Sequence, residues 1–584
     1  MGKSSRGADR VIRVALCQRN LVVGDIDGNV GKIRDSLVRV RELGADLAVF
    51  PELTITGYPP EDLLLKPHFA ERAEAALTDL AAEVEDLVAV IGFPELCDDL
   101  FNSAAVVTGG EVAAKYRKRY LPNYGPFDEQ RYFARGRDAL VLDMDGLRVG
   151  VTVCEDLWYP GGPAQRAVLD GKADVLVNIS ASPYSRGKGP TRERMLATRC
   201  EDYGCFLAFC NMVGGQDELI FDGHSLVIDP SGVVRARGRQ FAEDHVVIDL
   251  ELRGVSRRRL QDPRWRQRFA APTNRVHVAA VRRPRRKKPE LEMKPPIELL
   301  DPEAEVYQAL LLGISDYFRK NGFEHVVLGL SGGIDSALAL ALAVDALGAD
   351  AVTAVSMPSR YTMAENREDA AEIASGFGVD FLEIPINGVF DCYLESLADR
   401  FAGTEPNVAE ENIQARIRGN FLMALSNKFG WLVLATGNKS EMSVGYATLY
   451  GDMAGGFAVL KDVPKTWVYR LARWRNRESQ PIPQRVIDKP PSAELRRNQL
   501  DTDTLPPYEV LDPIIEAYVE EDRSPEEIEG QGFDRQIVRQ VVEMIDGAEY
   551  KRRQAPPGIR ISRRAFGKDR RLPITNRYRT WGRE

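Results

Sequence analysis

The sequence predicts two α/β domains in tandem: a layered domain with a mixed sheet, then a doubly wound domain with a parallel sheet. Three observations predict it. Short apolar runs alternate with helical patterns from the first residues onward. A proline-punctuated basic stretch, VRRPRRKKPELEMKPP (Val281–Pro296), then interrupts them. Beyond it, strand–turn–helix units follow one another, led by HVVLGL-SGGIDS-ALALALAVDALG. A chain of 584 residues is too long for one core, so the interruption reads as a boundary. The expected division is 1–275, a linker at 276–300, and 301–584.

In order, VIRVALCQ (Val11–Gln18) reads as a strand, Asn29 to Leu43 has helical spacing, and ADLAVFPEL (Ala45–Leu53) is strand again. LVAVIGF, AAVVTGG, LRVGVTVCED, ADVLVNIS and FLAFCNMVG continue the series, and HSLVIDPSGVVRARG is a hairpin turning on Pro-Ser-Gly. The basic stretch could be a nucleic-acid patch. It reads better as a solvated linker, because prolines punctuate it and no aromatic residues interleave. EAEVYQALLLGISDYFRKNG is an amphipathic helix, followed by strands in ADAVTAVSMPS, FLEIPI and WLVLATGN. No internal repeat is evident.

Composition excludes several classes. The net charge of −8 argues against a general nucleic-acid binder. No apolar run reaches the ~18–20 residues of a membrane span. The start, MGKSSRGADR, lacks an apolar leader core and, with Arg6, the myristoylation pattern. Cys200, Cys205 and Cys210 are spaced unlike zinc ligands and read as buried, reduced thiols. A cytoplasmic protein is expected.

Apolar strand, SGGIDS, then helix is a phosphate-binding arrangement. Gly332 and Gly333 let backbone N–H groups approach an anion, and Ser336 opens a helix whose first turn attracts phosphate. No Walker pattern is present. The missing lysine fits a loop that grips pyrophosphate as a leaving group, and Asp335 can hold Mg²⁺. Glycines kept only for packing are the alternative. The full string S-G-G-x-D-S resembles the ATP pyrophosphatase superfamily, whose members form adenylates and then displace AMP. With ATGNKSEMSVGYATLYGDMAGGF (Ala435–Phe457), EENIQARIRGN, DVPKTWVYRLAR, PPSAELR and KRRQAPPGIRISRRAFGKDRR, the second half resembles the NAD synthetases. That resemblance implies ATP, Mg²⁺ and deamido-NAD+ (nicotinic acid adenine dinucleotide) as ligands. It implies ATP binding by Gly329, Leu330, Ser331, Gly332, Gly333, Ile334, Asp335, Ser336, Met357, Thr436 and Lys465. It also implies deamido-NAD+ binding by Asn412, Arg416, Glu441, Asp452 and Lys551, and a metal held by Asp335 and Glu441. Lys551 in its Lys-Arg-Arg run could instead be solvated surface, and Asn412 could simply face water.

Amidation needs neutral ammonia, and free ammonium near pH 7 cannot attack. A nitrogen donor hydrolysed by the same chain would solve this. Glu52 lies just past an apolar strand, Lys118 lies in YRKRYLPNYGPFDEQRYF, and Cys154 lies at another strand end. A thiol nucleophile needs a base and an oxyanion cation, which these residues can supply without histidine. A nearby lysine should also favour the thiolate. Singly, each residue has a structural explanation. Together they resemble the nitrilase (carbon–nitrogen hydrolase) superfamily across about residues 10–270. The resemblance implies an αββα domain, catalysis by Glu52, Lys118 and Cys154 with Glu129 supporting the lysine, and glutamine held by Tyr58, Tyr124, Glu155, Ser182 and Lys188.

The two halves together resemble the glutamine-dependent NAD synthetases. The resemblance implies small-molecule substrates, no nucleic acid, no membrane, a large homo-oligomer and an internal ammonia passage. Another ATP pyrophosphatase enzyme, amidating a different carboxylate or thiolating RNA, is the alternative. RNA chemistry would want cysteines in the second domain, where only Cys392 occurs, outside every motif. A catalytically silent scaffold is the third reading, disfavoured by the intact chemical groups.

Overall fold

The computed structural model describes residues 10–263, 275–284, 286, 288–292, 294–497 and 499–578. The amino-terminal segment read above and part of the Arg-rich stretch after Val255 lie outside the described residues. The chain forms two compact units, Met1–Gln216 with Ile220–Leu300, and Asp217–Leu219 with Asp301–Glu584.

The first unit is built on two main sheets. Its strands are β1 (Val11–Gln18), β2 (Leu47–Val49), β3 (Val88–Leu96), β4 (Leu100–Thr108), β5 (Glu111–Arg117), β6 (Ala139–Met144), β7 (Leu147–Val153), β8 (Val175–Ser180), β9 (Phe206–Asn211), β10 (Val213–Gln216), β11 (Leu219–Asp222), β12 (Leu226–Ile228), β13 (Val234–Arg237), β14 (Asp244–Glu251) and β15 (Val276–Ala280). One sheet runs β14-β1-β2-β3-β4-β5 and the other β13-β12-β9-β8-β7-β6-β15. Their side chains alternate between two kinds of core, as the period of two requires. Val14 and Leu16 meet Val149, Val175 and Val177 between the sheets. Ala15 and Cys17 turn outward onto helices α1 (Ile26–Glu42) and α2 (Pro67–Ala82). Leu176 likewise faces α3 (Gly162–Leu169) and α4 (Lys188–Tyr203) on the far side. The result is helix, sheet, sheet, helix.

Two stretches differ from expectation. The strand expected over Ala45–Leu53 stops at Val49, because Leu53 takes a left-handed backbone (φ 46°) as the chain turns. The stretch expected to be a linker begins with β15, which pairs in parallel with β6. Its basic residues are not all solvated either. Arg283 and Lys288 bind the buried Asp46 carboxylate, and Arg286 donates to the Ala45 carbonyl. A buried carboxylate is costly without a cation, and these side chains supply it.

In the second unit, β16 (Val326–Gly329), β17 (Val352–Ser356), β18 (Asp380–Glu383), β19 (Leu432–Ala435) and β20 (Phe457–Ala458) form one parallel sheet in the order β18-β17-β16-β19-β20. Helix α5 (Pro302–Lys320) precedes it, and α6 (Ile334–Leu347), whose ALALALA run is fully buried, follows β16. Also present are α7 (Ala364–Phe377), α8 (Val408–Phe429), α9 (Lys439–Val444), α10 (Lys465–Arg475) and α11 (Tyr508–Ile515). The order reverses between β16 and β19, so the turns after these strands share the crevice where such sheets bind ligands. Among the described residues no helix is long and apolar enough to cross a membrane.

Candidate active sites

The first site gathers where β5 and β7 end. Lys118 directly follows β5 and is fully buried. Its ammonium donates to Glu52 Oε1 at 2.6 Å and to Glu129 Oε1 at 2.8 Å. Glu52 is equally buried and is fixed by two more donors, Asn102 Nδ2 at 2.7 Å and the Ala181 N–H at 3.0 Å. Burial works against the Lys118 charge, yet Glu129 and Glu52 outweigh it and hold the amine well above its ordinary pKa. Burial pushes Glu129 up to about 7, with Lys118 opposing and Glu52 assisting. Two carboxylates around one ammonium leave room for a proton among them.

Cys154 begins a tight turn, Cys154–Leu157, with a left-handed backbone (φ 42°). A non-glycine residue there is strained and persists only where its surroundings hold it. Asn178 Nδ2 donates to the Cys154 carbonyl at 3.4 Å. The buried thiol senses Glu52, Lys118, Glu155 and Glu129 electrostatically. Burial and then Glu52 push its pKa well up, and Lys118 pulls the other way without prevailing. Lys118 does favour the thiolate, as expected, but burial and Glu52 outweigh it. The resting sulfur is a thiol and needs a base.

The residues expected to hold glutamine divide. The Tyr58 hydroxyl is spent on Glu129 Oε1 at 2.9 Å, and the side chain is buried. The Tyr124 hydroxyl donates to Glu155 Oε1 at 2.9 Å, so these two form a pair at the Cys154–Leu157 turn. Lys188 donates to the Pro183 carbonyl at 2.6 Å, and its ammonium lies 5.7 Å from the Trp158 ring centre. Ser182 is buried, its N–H held by Asn211 Oδ1 at 2.8 Å. Sequence reasoning missed Asn102 and Asn178, although Asn178 lies in the strand that leads into Ser182 and Lys188.

The second site opens after β16. Leu330 is buried and its N–H pairs with the Val355 carbonyl at 2.9 Å. Gly332 has φ +83°, and a Cβ there would sit 2.2 Å from the Asn366 carbonyl oxygen. Only glycine fits this approach. Ser336 Oγ donates to the Gly333 carbonyl at 3.0 Å and receives the Ser331 N–H at 3.3 Å, while the Gly333 N–H meets Ser331 Oγ at 3.2 Å. Ile334 is buried in the first turn of α6. Met357, beyond β17, is buried; its methyl would lie 3.3 Å from a Cβ on Gly329, and its carbonyl accepts from Arg418 Nε at 3.0 Å. Thr436 directly follows β19.

Asp335 faces Asn438 Nδ2 at 2.8 Å and the Lys465 ammonium. Lys465 is buried, lies 3.7 Å from Glu441 and 5.4 Å from the Tyr508 ring centre. Burial and the neighbouring Asp335 charge push Glu441 up to about 8, against the pull of Lys465. Two carboxylates, one of them in the first helical turn beside a phosphate-type loop, fit Mg²⁺, which takes one or two protein carboxylates and completes its shell with phosphate and water. Among the described residues no cluster of three or more His, Cys, Asp or Glu side chains is placed to hold a metal ion.

The residues expected to meet deamido-NAD+ converge on the segment after α9. Thr448 donates through its hydroxyl to Asn412 Oδ1 at 2.7 Å and through its N–H to Asp452 Oδ1 at 2.7 Å. Arg416 donates to the Leu449 carbonyl at 3.2 Å. Lys551 is not surface decoration: it donates to the Gly445 and Ala447 carbonyls at 2.7 and 2.8 Å, and burial lowers its pKa. Burial raises Asp452 to about 6. Glu441 and Asp452 share a cleft with Gly437, Ala447 and Pro556. Lys439, which lies in the same sequence motif, points into the core and pairs with Glu520 at 2.6 Å and Asp462 at 3.0 Å.

Comparisons with known proteins agree with this division. Residues 13–259 match the carbon-nitrogen hydrolase family and residues 306–555 the NAD synthase family. The glutamine-dependent NAD(+) synthetase of Thermotoga maritima is 50% identical over 97% of this chain and 99% of its own. That of Aquifex aeolicus is 48% identical over 97% of this chain and 100% of its own. The solved glutamine-dependent NAD+ synthetase of Acinetobacter baumannii, in complex with ADP, superposes with a TM-score of 0.71 at 41% identity, covering 97% of this chain and 99% of that one. The Cytophaga hutchinsonii synthetase has a TM-score of 0.79 at 21% identity, covers 97% and 98% of the two chains, and speaks to the fold alone.

Proposed function

The chain belongs to the glutamine-dependent NAD(+) synthetases, carbon–nitrogen ligases, and from that membership we propose how its residues divide the reaction. The first unit frees ammonia from glutamine. Glu52 takes the thiol proton as the Cys154 sulfur attacks the carboxamide carbon, and the oxyanion forms against Lys118. The tetrahedral adduct collapses, Glu52 returns the proton to the departing nitrogen, and ammonia leaves a thioester. Water, deprotonated by Glu52, then releases glutamate and restores the thiol. The observation that carries this reading is the Lys118 ammonium, sealed from water between the Glu52 and Glu129 carboxylates beside a strained cysteine turn.

The second unit amidates deamido-NAD+. The substrate carboxylate attacks the α-phosphorus of ATP, and pyrophosphate leaves toward Ser331–Ser336 and the α6 N-terminus. Neutral ammonia, delivered through an internal passage, attacks the adenylated carbonyl, loses a proton and displaces AMP. Lys465, preplaced beside the loop, offsets charge developing on the leaving group. Asp335 and Glu441 would hold Mg²⁺, which would neutralise pyrophosphate charge when bound. Tyr124, Glu155, Ser182 and Lys188 hold glutamine; Asn412, Arg416, Asp452 and Lys551 hold deamido-NAD+, through the 445–452 segment they brace. The reading includes a cytoplasmic homo-oligomer, and the seven unpaired cysteines are compatible with a reducing compartment.

The test is NAD+ formation from deamido-NAD+, ATP and Mg²⁺ with glutamine or ammonium as donor. Cys154→Ala should abolish the glutamine-driven rate and keep the rate at high ammonium. Loss of both rates in a folded variant would refute separate chemistry, and AMP release with other acids but not deamido-NAD+ would refute the substrate.

A further inference from the structure

Asp156 follows Cys154 by two residues and is fully buried. Its carboxylate takes four donors from two chain segments. Oδ1 accepts the main-chain N–H groups of Arg119 at 3.2 Å and Tyr120 at 3.0 Å. Oδ2 accepts the Tyr116 hydroxyl at 2.7 Å and the Val153 N–H at 3.1 Å. Tyr116, Arg119 and Tyr120 bracket Lys118, while Val153 and Asp156 bracket Cys154. One side chain therefore ties the segment bearing the cation to the segment bearing the nucleophile. We propose that Asp156 is a positioning residue of the glutamine-hydrolysing site, setting the Lys118 strand end against the Cys154 turn.

The physical need is specific. Cys154 holds a left-handed backbone that its own preferences oppose, so something outside it must fix the turn. The two N–H groups after Lys118 are donors at a strand end, where no ladder partner takes them, and a buried donor left unpaired is costly. A carboxylate offers enough lone pairs for all four donors, and no other side chain of that size does. An asparagine at this place has one acceptor oxygen, so its amide nitrogen would face two of the donors it replaces. Either the Lys118 segment or the Cys154 turn would be released. A displacement of about 1 Å between reacting groups lowers a rate about 100-fold.

The inference rests on the proposed function of this site. The experiment is steady-state glutamine hydrolysis by the full-length enzyme carrying Asp156→Asn, with ammonium-driven NAD+ synthesis measured in parallel. Expected are a kcat for glutamine lowered about 10- to 100-fold, a KM within about twofold, and an unchanged ammonium-driven rate. A folded variant with unchanged kcat overturns the proposal, as does a raised KM at unchanged kcat, which would make Asp156 a binding-pocket residue. Should Asp156→Asn fail to fold by circular dichroism, Tyr116→Phe decides, since it deletes one donor and keeps the ring. Its kcat should fall roughly 3- to 10-fold at constant KM, and an unchanged kcat overturns the proposal. Glutamine hydrolysis by the wild-type enzyme tests the parent reading separately.

Discussion

Replacing Lys118 by Met keeps most of the side-chain volume and removes the ammonium. In the native site that ammonium lies 2.6 Å from Glu52 and 2.8 Å from Glu129, with none of its surface reaching water. Without it, two buried carboxylates face each other uncompensated, an arrangement that costs about 3–5 kcal/mol. Glu129, already pushed up to about 7, takes a proton and recovers part of this. The net loss for the first unit is then about 3 kcal/mol, visible as a melting transition lower by roughly 6–12 °C. Catalysis loses more than stability does. The oxyanion would form with no cation beside it, and deleting one such donor lowers kcat by about 10²- to 10³-fold. The assay is glutamate release, with NAD+ formation measured from glutamine and from ammonium. Ammonium-driven synthesis should stay within about twofold of wild type. Glutamine hydrolysis retained within about tenfold would refute the oxyanion role, and a matching loss with ammonium in a folded variant would refute the separation of sites.

Glu129→Gln tests the shared proton. Burial lifts Glu129 from 4.5 to about 7, so between those values the folded unit keeps a proton that the unfolded chain has released. Folding therefore becomes more favourable as pH falls across that window, and the ionisation cost is fully felt above it. The stability of wild type relative to Glu129→Gln, from urea unfolding, should rise as pH is lowered from about 7 to about 5; a constant difference contradicts the assignment. Gly332→Ala puts a methyl within 2.2 Å of the Asn366 carbonyl oxygen on a left-handed backbone, so the loop must move. AMP release should fall at least about tenfold while glutamate release from glutamine remains detectable; normal AMP release would remove the loop from the ATP site. Lys439→Met unpairs Asp462 and Glu520 in the core and should destabilise the second unit by about 3–5 kcal/mol. Purified folded variant should keep its KM for ATP, and a selectively raised KM would move Lys439 into the binding site.

Much of both sites was legible because the chemistry sits where strands end. Glu52 and Cys154 each follow an apolar run, Lys118 stands in YRKRYLPNYGPFDEQRYF, and SGGIDS stands between a strand and a helix, so the expected residues stand at strand ends once the sheets form. Tyr58, Lys188 and Lys439 show where a linear reading stops. Each stands within or beside an informative motif, but burial and partners decide its role, and those partners are up to 81 positions away. The basic run after Val281 was misleading for the same reason, since Asp46, which needs its charge, is more than 230 residues distant.

By itself the sequence determined the two α/β units, the strand ends where the candidate site residues stand, and the need for Gly332. These follow from local periodicity and from conformational limits that act within a few residues. Only the tertiary structure decided that burial and Glu52 push the Cys154 thiol up, that burial lifts Glu129 toward about 7, and that Asp156 binds both the Lys118 and the Cys154 segments. Those properties depend on how completely water is excluded and on which charges lie within a few ångströms, and no stretch of sequence carries that information until the sheets close over it.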